Sequence, residues 1–174
     1  MTEDTTLRLH IGCGTRRRKG YINIDISPTA DAADLIAPAH RLPYEDGTVD
    51  AIYTSHMIEH LPPHEFEAAL AEWGRVLKPF GSLTIRCPNF ELYVREWLEA
   101  DYDYRWAWGI RNLLGWQDRG AGLLTRNGFS VRRLTDLLSA AGFQVLDCHT
   151  TRTRARRDPE FRENGDIHCE AIKA

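Results

Sequence analysis

Residues 7–14 read LRLHIGCG, an alternating apolar run that ends in two glycines separated by one residue. The alternation predicts a β-strand over 7–11, and Gly12-Cys13-Gly14 predicts a tight turn directly after it. Glycines at the carboxyl end of a strand let backbone amides approach a ligand that any Cβ would push away. We therefore expect a ligand-binding loop at one edge of a sheet.

Strands and helices alternate along the rest of the chain. Strands are predicted over 21–26, 34–36, 49–53, 82–87, 143–149 and 168–173, and helices over 63–77 and 130–141. This order predicts an α/β protein with a mostly parallel sheet whose faces are covered by helices. Because only residues 13–20 separate the first two strands, the first crossover helices are expected to be reduced or absent. A single domain is expected over 1–174, with an aromatic-rich insert at about 90–127.

Composition narrows the class of protein. The chain has 174 residues and a formal net charge of −3, which disfavours a nucleic-acid binder. No apolar run reaches the roughly 18 residues of a membrane helix, and the acidic N-terminus does not resemble a signal peptide. The cysteines are widely spaced and form no zinc-finger pattern, so we expect reduced thiols, no metal and a cytoplasmic protein.

A carboxylate lies close to the glycine turn in the predicted sheet. Asp25 ends the second strand, where it can accept hydrogen bonds from both hydroxyls of a ribose. A dinucleotide fingerprint would need a third glycine where Arg17 stands, and an acid about 20 residues on. A nicotinamide oxidoreductase is therefore disfavoured. The alternative that the two glycines form only a turn stays open.

Four runs, in the order LHIGCGT, GYINIDI, LPYEDGTVDAIYTSHMIEHL and EWGRVLKPFGSLTIRCPN, carry a family resemblance. Together they resemble the class I S-adenosylmethionine-dependent methyltransferases. More narrowly, they are similar to small methyltransferases associated with surface-polysaccharide biosynthesis. The resemblance covers 7–89 well and 124–173 more loosely. It implies a Rossmann-like fold, a seven-stranded sheet with an antiparallel last strand, and S-adenosyl-L-methionine as cofactor.

The resemblance also implies a set of cofactor contacts. The glycine loop would hold the methionine part of the cofactor, Asp25 the ribose, the segment 40–42 the adenine edge, and 55–56 the region near the sulfonium. The implied cofactor-binding residues are Gly12, Cys13, Gly14, Asp25, Ile26, His40, Arg41, Leu42, Ser55 and His56. The acid often found just ahead of the Leu-Pro pair is absent here, because Pro38, Ala39 and His40 occupy those positions.

Two residues after the fourth strand are candidates for catalysis. Glu59 and His60 stand where a general base could take the proton of a hydroxyl acceptor. The run from His56 to His60 also matches H-x-x-E-H, a zinc-protease signature. That signature needs a helix, and Pro62-Pro63 leaves barely one turn, so zinc hydrolysis is disfavoured.

Two further groups are candidates for contacting the acceptor. Tyr102-Asp-Tyr104 and Trp106-Ala-Trp108 alternate as a short strand or extended arm would. A lid that stacks Trp106 and Trp108 on the acceptor is one interpretation, and a satellite core is the other. Arg154 and Arg156, in the loop between the last two strands, could recruit an anionic acceptor, or simply form a solvated hairpin tip.

The leading hypothesis is a methyltransferase that acts on a small-molecule or glycan-type acceptor, which the arginines suggest to be anionic. The alternative is a non-enzymatic S-adenosylmethionine- or nucleoside-binding module on the same fold. No nucleic-acid or membrane partner is expected, and a homo-oligomer stays open.

Overall fold

A seven-stranded sheet organises the chain, with the strand order β3-β2-β1-β4-β5-β7-β6. The computed structural model describes residues 6–115, 124–154 and 163–174, with the backbone alone for Trp108, 152–154 and 163–164. The strands are β1 (Arg8–Ile11), β2 (Ile22–Asp25), β3 (Leu35–Ile36), β4 (Val49–Ser55), β5 (Leu77–Pro88), β6 (Phe143–Arg154) and β7 (Glu163–Lys173). The helices are α1 (Pro63–Val76), α2 (Phe90–Glu99), α3 (Tyr102–Tyr104), α4 (Ile110–Leu114) and α5 (Val131–Ala140), with a 3-10 turn at Ile58–His60 and a π-helical turn at Arg105–Gly109.

Strand directions confirm the predicted fold class. β1 runs parallel to β2 and β4, β2 to β3, and β4 to β5. The last strand, β7, is inserted between β5 and β6 and is antiparallel to both. The sheet is thus mostly parallel, with an antiparallel last strand.

The two long helices form because their apolar residues recur on one face. Phe66, Leu70 and Trp73 of α1 are fully buried, and Pro63 begins the helix at a position where its missing N–H is not needed. Ser130 Oγ accepts the Arg133 amide and so caps α5. Both helices pack against one face of the sheet. No helix in the described ranges is long and apolar enough to span a bilayer.

The two faces of the sheet are buried to different degrees at its central strands. Leu9, Ile52 and Leu83 are neighbours in register and expose at most 1% of their surface. On the opposite face Thr84 is only half-buried, and its register partner Glu170 exposes 55% of its side chain. The connections after β1, β2 and β3 contain no helix, so none of them adds a helical cover to the sheet.

The side chain of Asn23 holds the short connection between β1 and β2. It is fully buried, donates to the carbonyls of Arg18 and Tyr21, and accepts the Arg18 amide at 2.8 Å. It also binds His10 on β1 and Asp34 ahead of β3. The amide and side chain of Asn23, together with Arg17, lower the pKa of Asp34 to about 2. The Asn23 side chain therefore orders a connection that has no crossover helix. The prediction that the first crossovers are reduced is confirmed.

The aromatic insert is helical, so the prediction of a strand or extended arm over 102–108 is wrong. Asp101 Oδ1 accepts the Tyr104 amide at 2.9 Å and starts the turn of α3. The Trp97 and Trp106 rings pack edge to face with centroids 5.9 Å apart, across the turn that joins α2 to the π-helical segment. Residues two apart alternate across a strand, but aromatic spacing alone does not exclude a helix that buries Tyr104 and exposes Trp106.

The closing strands are longer than predicted. β6 continues to Arg154, so Arg154 ends a strand and does not lie in the loop predicted from the sequence. Each residue of β6 from Asp147 to Arg154 has a register partner on β7, and this pairing supports the extension. β5 likewise begins at Leu77, directly after α1, and not at Ser82.

A substitution at Phe129 tests the packing of the buried face. It exposes 1% of its surface and meets Phe66 edge to face at 5.1 Å. We expect Phe129→Ala to lower the free energy of unfolding by about 3–5 kcal/mol in urea titration, because it leaves a cavity in the core. Leu146→Ala, at a side chain that is 57% exposed, is the control and should change it by less than about 0.5 kcal/mol. Equal losses for the two variants would contradict this description of the core.

Candidate functional site

The glycine loop leaves the carboxyl end of β1 in a conformation that favours glycine. Gly12 and Gly14 have φ angles of +74° and +52°. A Cβ on Gly12 would lie 2.2 Å from Met57 Cγ, whereas a Cβ on Gly14 would meet nothing within 4 Å. The two glycines therefore have different roles. Gly12 makes room for Met57 from the loop after β4, and Gly14 borders open space.

Asp25 is fixed beside this loop by two backbone amides. Its Oδ2 accepts the Gly14 amide at 2.7 Å, and its Oδ1 accepts the Ser27 amide at 2.9 Å. A carboxylate offers about four lone-pair positions, so roughly two stay available. The predicted proximity of Asp25 to the glycine turn is confirmed.

The surroundings of Asp25 fit a nucleoside. Ile26 follows directly and exposes 68% of its surface, which is unusual for an isoleucine beside a sheet edge. Free carboxylate lone pairs can accept two ribose hydroxyls, the exposed Ile26 can cover a base, and the space at Gly14 admits a ligand close to the backbone. The residues present thus fit the adenosine part of S-adenosylmethionine.

Other predicted cofactor residues differ in their accessibility. The Cys13 side chain is buried, and burial raises the pKa of its thiol. The Cys13 amide donates to the Ile24 carbonyl at 3.1 Å. Leu42 is buried in the core, and its amide donates to Glu72 Oε1 at 2.7 Å. The neighbouring His40 and Arg41 are exposed, so these two present side chains to solvent.

A cluster of charged side chains lies at the same edge, around His56. His56 directly follows Ser55 and β4, with a φ angle of +52° that is uncommon outside glycine. Its Nε2 lies 3.2 Å from Asp166 Oδ2 and its Nδ1 lies 3.6 Å from Glu59 Oε1. Asp166 and Glu59 raise the pKa of His56 to about 10. The imidazole is therefore a cation at neutral pH and is not available as a base.

Asp166 and Arg86 complete this cluster, and the sequence analysis missed both. Arg86 Nη2 donates to Asp166 Oδ2 at 3.4 Å, and the Asp166 side chain is 8% exposed. Asp166 is 110 positions from His56 in the chain. The only usable signal was the position of Asp166 near the start of a strand that the topology places beside β5.

Glu59 and His60, the two predicted candidates for catalysis, differ in environment. Glu59 is 4% exposed, and its Oε2 is buried without a hydrogen-bond partner. His60 Nε2 lies 3.9 Å from Glu59 Oε1, and His60 Nδ1 is 3.0 Å from the Leu124 carbonyl oxygen. The carbonyl of Glu59 accepts the amides of Arg126 and Asn127, which return from the insert. The end of the insert is thereby attached to the site.

The geometry of the run 56–60 disfavours the zinc-protease alternative. Its helical part is a single 3-10 turn at Ile58–His60, so His56 and His60 do not share a helix face. Within residues 6–115, 124–154 and 163–174, no group of three or more His, Cys, Asp or Glu is arranged to hold a metal ion.

The structure describes only some of the side chains that were predicted to contact the acceptor. Trp106 is 53% exposed and packs on Trp97 and Tyr102, with the Tyr102 ring centroid 6.5 Å away. Trp108 lies in the π-helical turn, and its side chain is outside the described atoms. Arg154 ends β6 with its side chain likewise outside them, and Arg156 lies outside the described residues.

Solved structures define the class of fold. A SAM-dependent methyltransferase from Methanosarcina mazei superposes with a TM-score of 0.65 at 20% identity, covering 95% of this chain and 91% of its own. The [4+2]-cyclase SpnF superposes with a TM-score of 0.62 at 19% identity, covering 97% of this chain and 74% of its own. The fold is that of the class I S-adenosylmethionine-dependent methyltransferases.

Sequence comparison agrees with that class. Residues 9–85 match the family described as a methyltransferase domain, in agreement with the resemblance that the sequence runs carry. An uncharacterised 37.1 kDa protein in transposon Tn4556 of Streptomyces fradiae is 28% identical over 106 residues, or 61% of this chain. This chain spans only 27% of the length of that relative. The family match and the fold are those of proteins that use S-adenosylmethionine as cofactor.

The two loop glycines provide a matched pair of substitutions. Gly14→Ala should cost about 1–2 kcal/mol of stability, from the left-handed backbone alone, and should weaken binding of S-adenosylhomocysteine by filling the open space. Gly12→Ala should destabilise the protein more, because its Cβ would also overlap Met57 Cβ at 2.6 Å, an atom that cannot move without the backbone. Thermal melts and calorimetric titration check both. Equal melting temperatures for the two variants would contradict the different roles of the glycines.

His56 gives a pH-dependent prediction. Its pKa in the folded protein, about 10, lies above the ordinary value of 6.5. The stability gained from its two carboxylate partners is therefore complete below pH 6.5 and is lost as the pH rises toward 10. We expect the difference in unfolding free energy between the wild type and His56→Gln to shrink over that range in urea titrations. A difference that is constant with pH would show that the imidazole is not held as a cation. His64→Gln, at an exposed position of α1, is the control.

Proposed function

We propose that this protein transfers a methyl group from S-adenosylmethionine to a small-molecule or glycan-type acceptor. The observation that carries the proposal is Asp25, held by the amides of Gly14 and Ser27 with lone pairs left over, beside an open backbone loop. That geometry can accept the hydroxyls of a ribose and leave the rest of the cofactor along the carboxyl edge of the sheet.

The residues at this edge would share the binding of the cofactor. In the proposal, Asp25 takes the ribose, Ile26 and the exposed His40 and Arg41 border the adenine, and Gly14 faces the methionine part. Ser55 and His56 would lie near the reacting centre, because they stand at the carboxyl end of the central strand β4. When bound, S-adenosylmethionine supplies an activated methyl group, so the protein has mainly to position the acceptor and exclude water.

The nature of the acceptor follows from the sequence resemblance and from the aromatic and basic residues near the site. A link with polysaccharide biosynthesis rests on the resemblance of the four sequence runs. The exposed Trp106 would stack on a sugar or another ring, because aromatic faces bind such surfaces well. Arg154 and Arg156 would contact any anionic group that the acceptor carries away from the reacting atom. Free thiols at Cys13, Cys87, Cys148 and Cys169 suit the reducing cytoplasm.

A non-enzymatic binding module on the same fold is the alternative. The fold of this chain is also similar to that of a cyclase, and one fold can host several chemistries. Slow conversion of S-adenosylmethionine to S-adenosylhomocysteine with candidate acceptors would distinguish an enzyme from a binder.

The substitution Asp25→Asn tests the cofactor site. The amide keeps an acceptor oxygen but loses the charge and one pair of acceptor positions. We therefore expect S-adenosylhomocysteine to bind about 1–3 kcal/mol more weakly in calorimetric titration. Asp31→Asn removes the same charge from an exposed position six residues along the chain and should leave the affinity unchanged. If the two variants bind equally well, Asp25 does not hold the ribose.

A further inference from the structure

Buried polar atoms without partners mark a place where a ligand can complete the hydrogen bonding. Among the described residues, Glu59 Oε2 and Asn127 Nδ2 are both buried and both lack a partner. An unpaired buried polar atom destabilises the folded protein, and more so when the group is charged. Such atoms in a native protein call for a bound molecule or ordered water.

The two atoms belong to one local structure. The Asn127 amide donates to the Glu59 carbonyl at 3.1 Å, so the two residues are joined through the backbone. The orientation of the Asn127 amide is fixed, because its Oδ1 accepts Arg133 Nη1 at 2.6 Å and its Nδ2 is left as the unpaired donor. The pair therefore offers one acceptor, Oε2, and one donor, Nδ2.

The His56 cluster fixes the position of one oxygen of the Glu59 carboxylate. Oε1 of Glu59 faces two imidazoles, His56 Nδ1 at 3.6 Å and His60 Nε2 at 3.9 Å. His56 is itself anchored by Asp166, which also accepts from Arg86. Because Oε1 lies beside the two imidazoles, Oε2 is the carboxylate oxygen that stays available to a hydrogen-bond donor.

We propose that Glu59 Oε2 contacts the reacting group of the methyl acceptor, and that this group is a neutral hydroxyl or amine. The proposal rests on the proposed function and names the class of its acceptor. A hydroxyl can donate to Oε2 and accept from Asn127 Nδ2, which satisfies both unpaired atoms. A carboxylate or phosphate oxygen would instead place a second negative charge against Oε2. Anionic groups elsewhere on the acceptor remain compatible with the site.

The chemistry follows from these contacts. The acceptor oxygen or nitrogen forms its bond to the methyl carbon as its own O–H or N–H bond breaks, the proton passes to Glu59 Oε2, and the C–S electron pair leaves with the sulfur. His56 and Asp166 are positioning residues in this scheme, since they act through Glu59. His60 supports Glu59 from the other side and is not the base.

Binding of small probes tests the proposal without the natural acceptor. The wild-type protein saturated with S-adenosylhomocysteine is titrated with ethanolamine, glycerol, glucosamine, catechol and acetate, followed by saturation-transfer NMR. We expect at least one of the four donors to bind and acetate to bind more weakly. The Glu59→Gln variant should lose that donor binding at least about tenfold, whereas Glu67→Gln, an exposed control on α1, should keep it.

A turnover measurement and a positioning readout complete the test. With a methyl-labelled cofactor and the best-binding donor, Glu59→Gln should slow transfer by about 10²-fold or more, and His60→Gln should slow it far less. Asp166→Asn should lower the pH at which the His56 imidazole titrates in NMR spectra and should lower kcat more than it raises KM, a split that a purely structural role for Asp166 would not produce.

The outcomes separate the two proposals. If S-adenosylhomocysteine does not bind the wild type, the proposed function and this inference both fall. If it binds but acetate is preferred, no donor binds, or Glu59→Gln binds the donors as well as the wild type does, only the inference is overturned.

Discussion

The hydrogen bonds from the Gly14 and Ser27 amides to the Asp25 carboxylate are the constraint on which the rest of the site depends. They join the loop after β1 to the end of β2 at the point where a longer protein would use a helix. Hydrogen bonds from backbone amides to a carboxylate are stronger than those between neutral groups, so two of them can order a short loop. The same carboxylate keeps lone pairs for a ligand, and under the proposed function this would couple the order of the loop to binding.

The reduced crossovers change the architecture as well as the loop. Because the connections after β1, β2 and β3 carry no helix, the long helices α1 and α5 pack on one face of the sheet, and β5 and β7 show half-exposed residues on the other. Mainly parallel sheets usually have both faces covered. Here polar residues such as Glu170, together with the buried Asn23 network, make a partly open face compatible with a folded chain.

The short-range parts of the fold and site could be predicted from the sequence. The strand β1, its glycine turn and the neighbouring Asp25 lie within 18 residues of one another, so pattern and spacing identify them. The distant members of the charged cluster could not be found, because Asp166 reaches His56 only through the pairing of β7 with β5. The insert was misassigned because aromatic residues two apart suit a strand, although the Asp101 cap was already present in the sequence.

A crystal structure of the wild-type protein with S-adenosylhomocysteine is the most direct measurement. The account predicts both ribose hydroxyls on the Asp25 carboxylate and the adenine against Ile26, with the Gly14 amide still bonded to Asp25. A nucleoside bound elsewhere on the protein, or a ribose that makes no contact with Asp25, would contradict it.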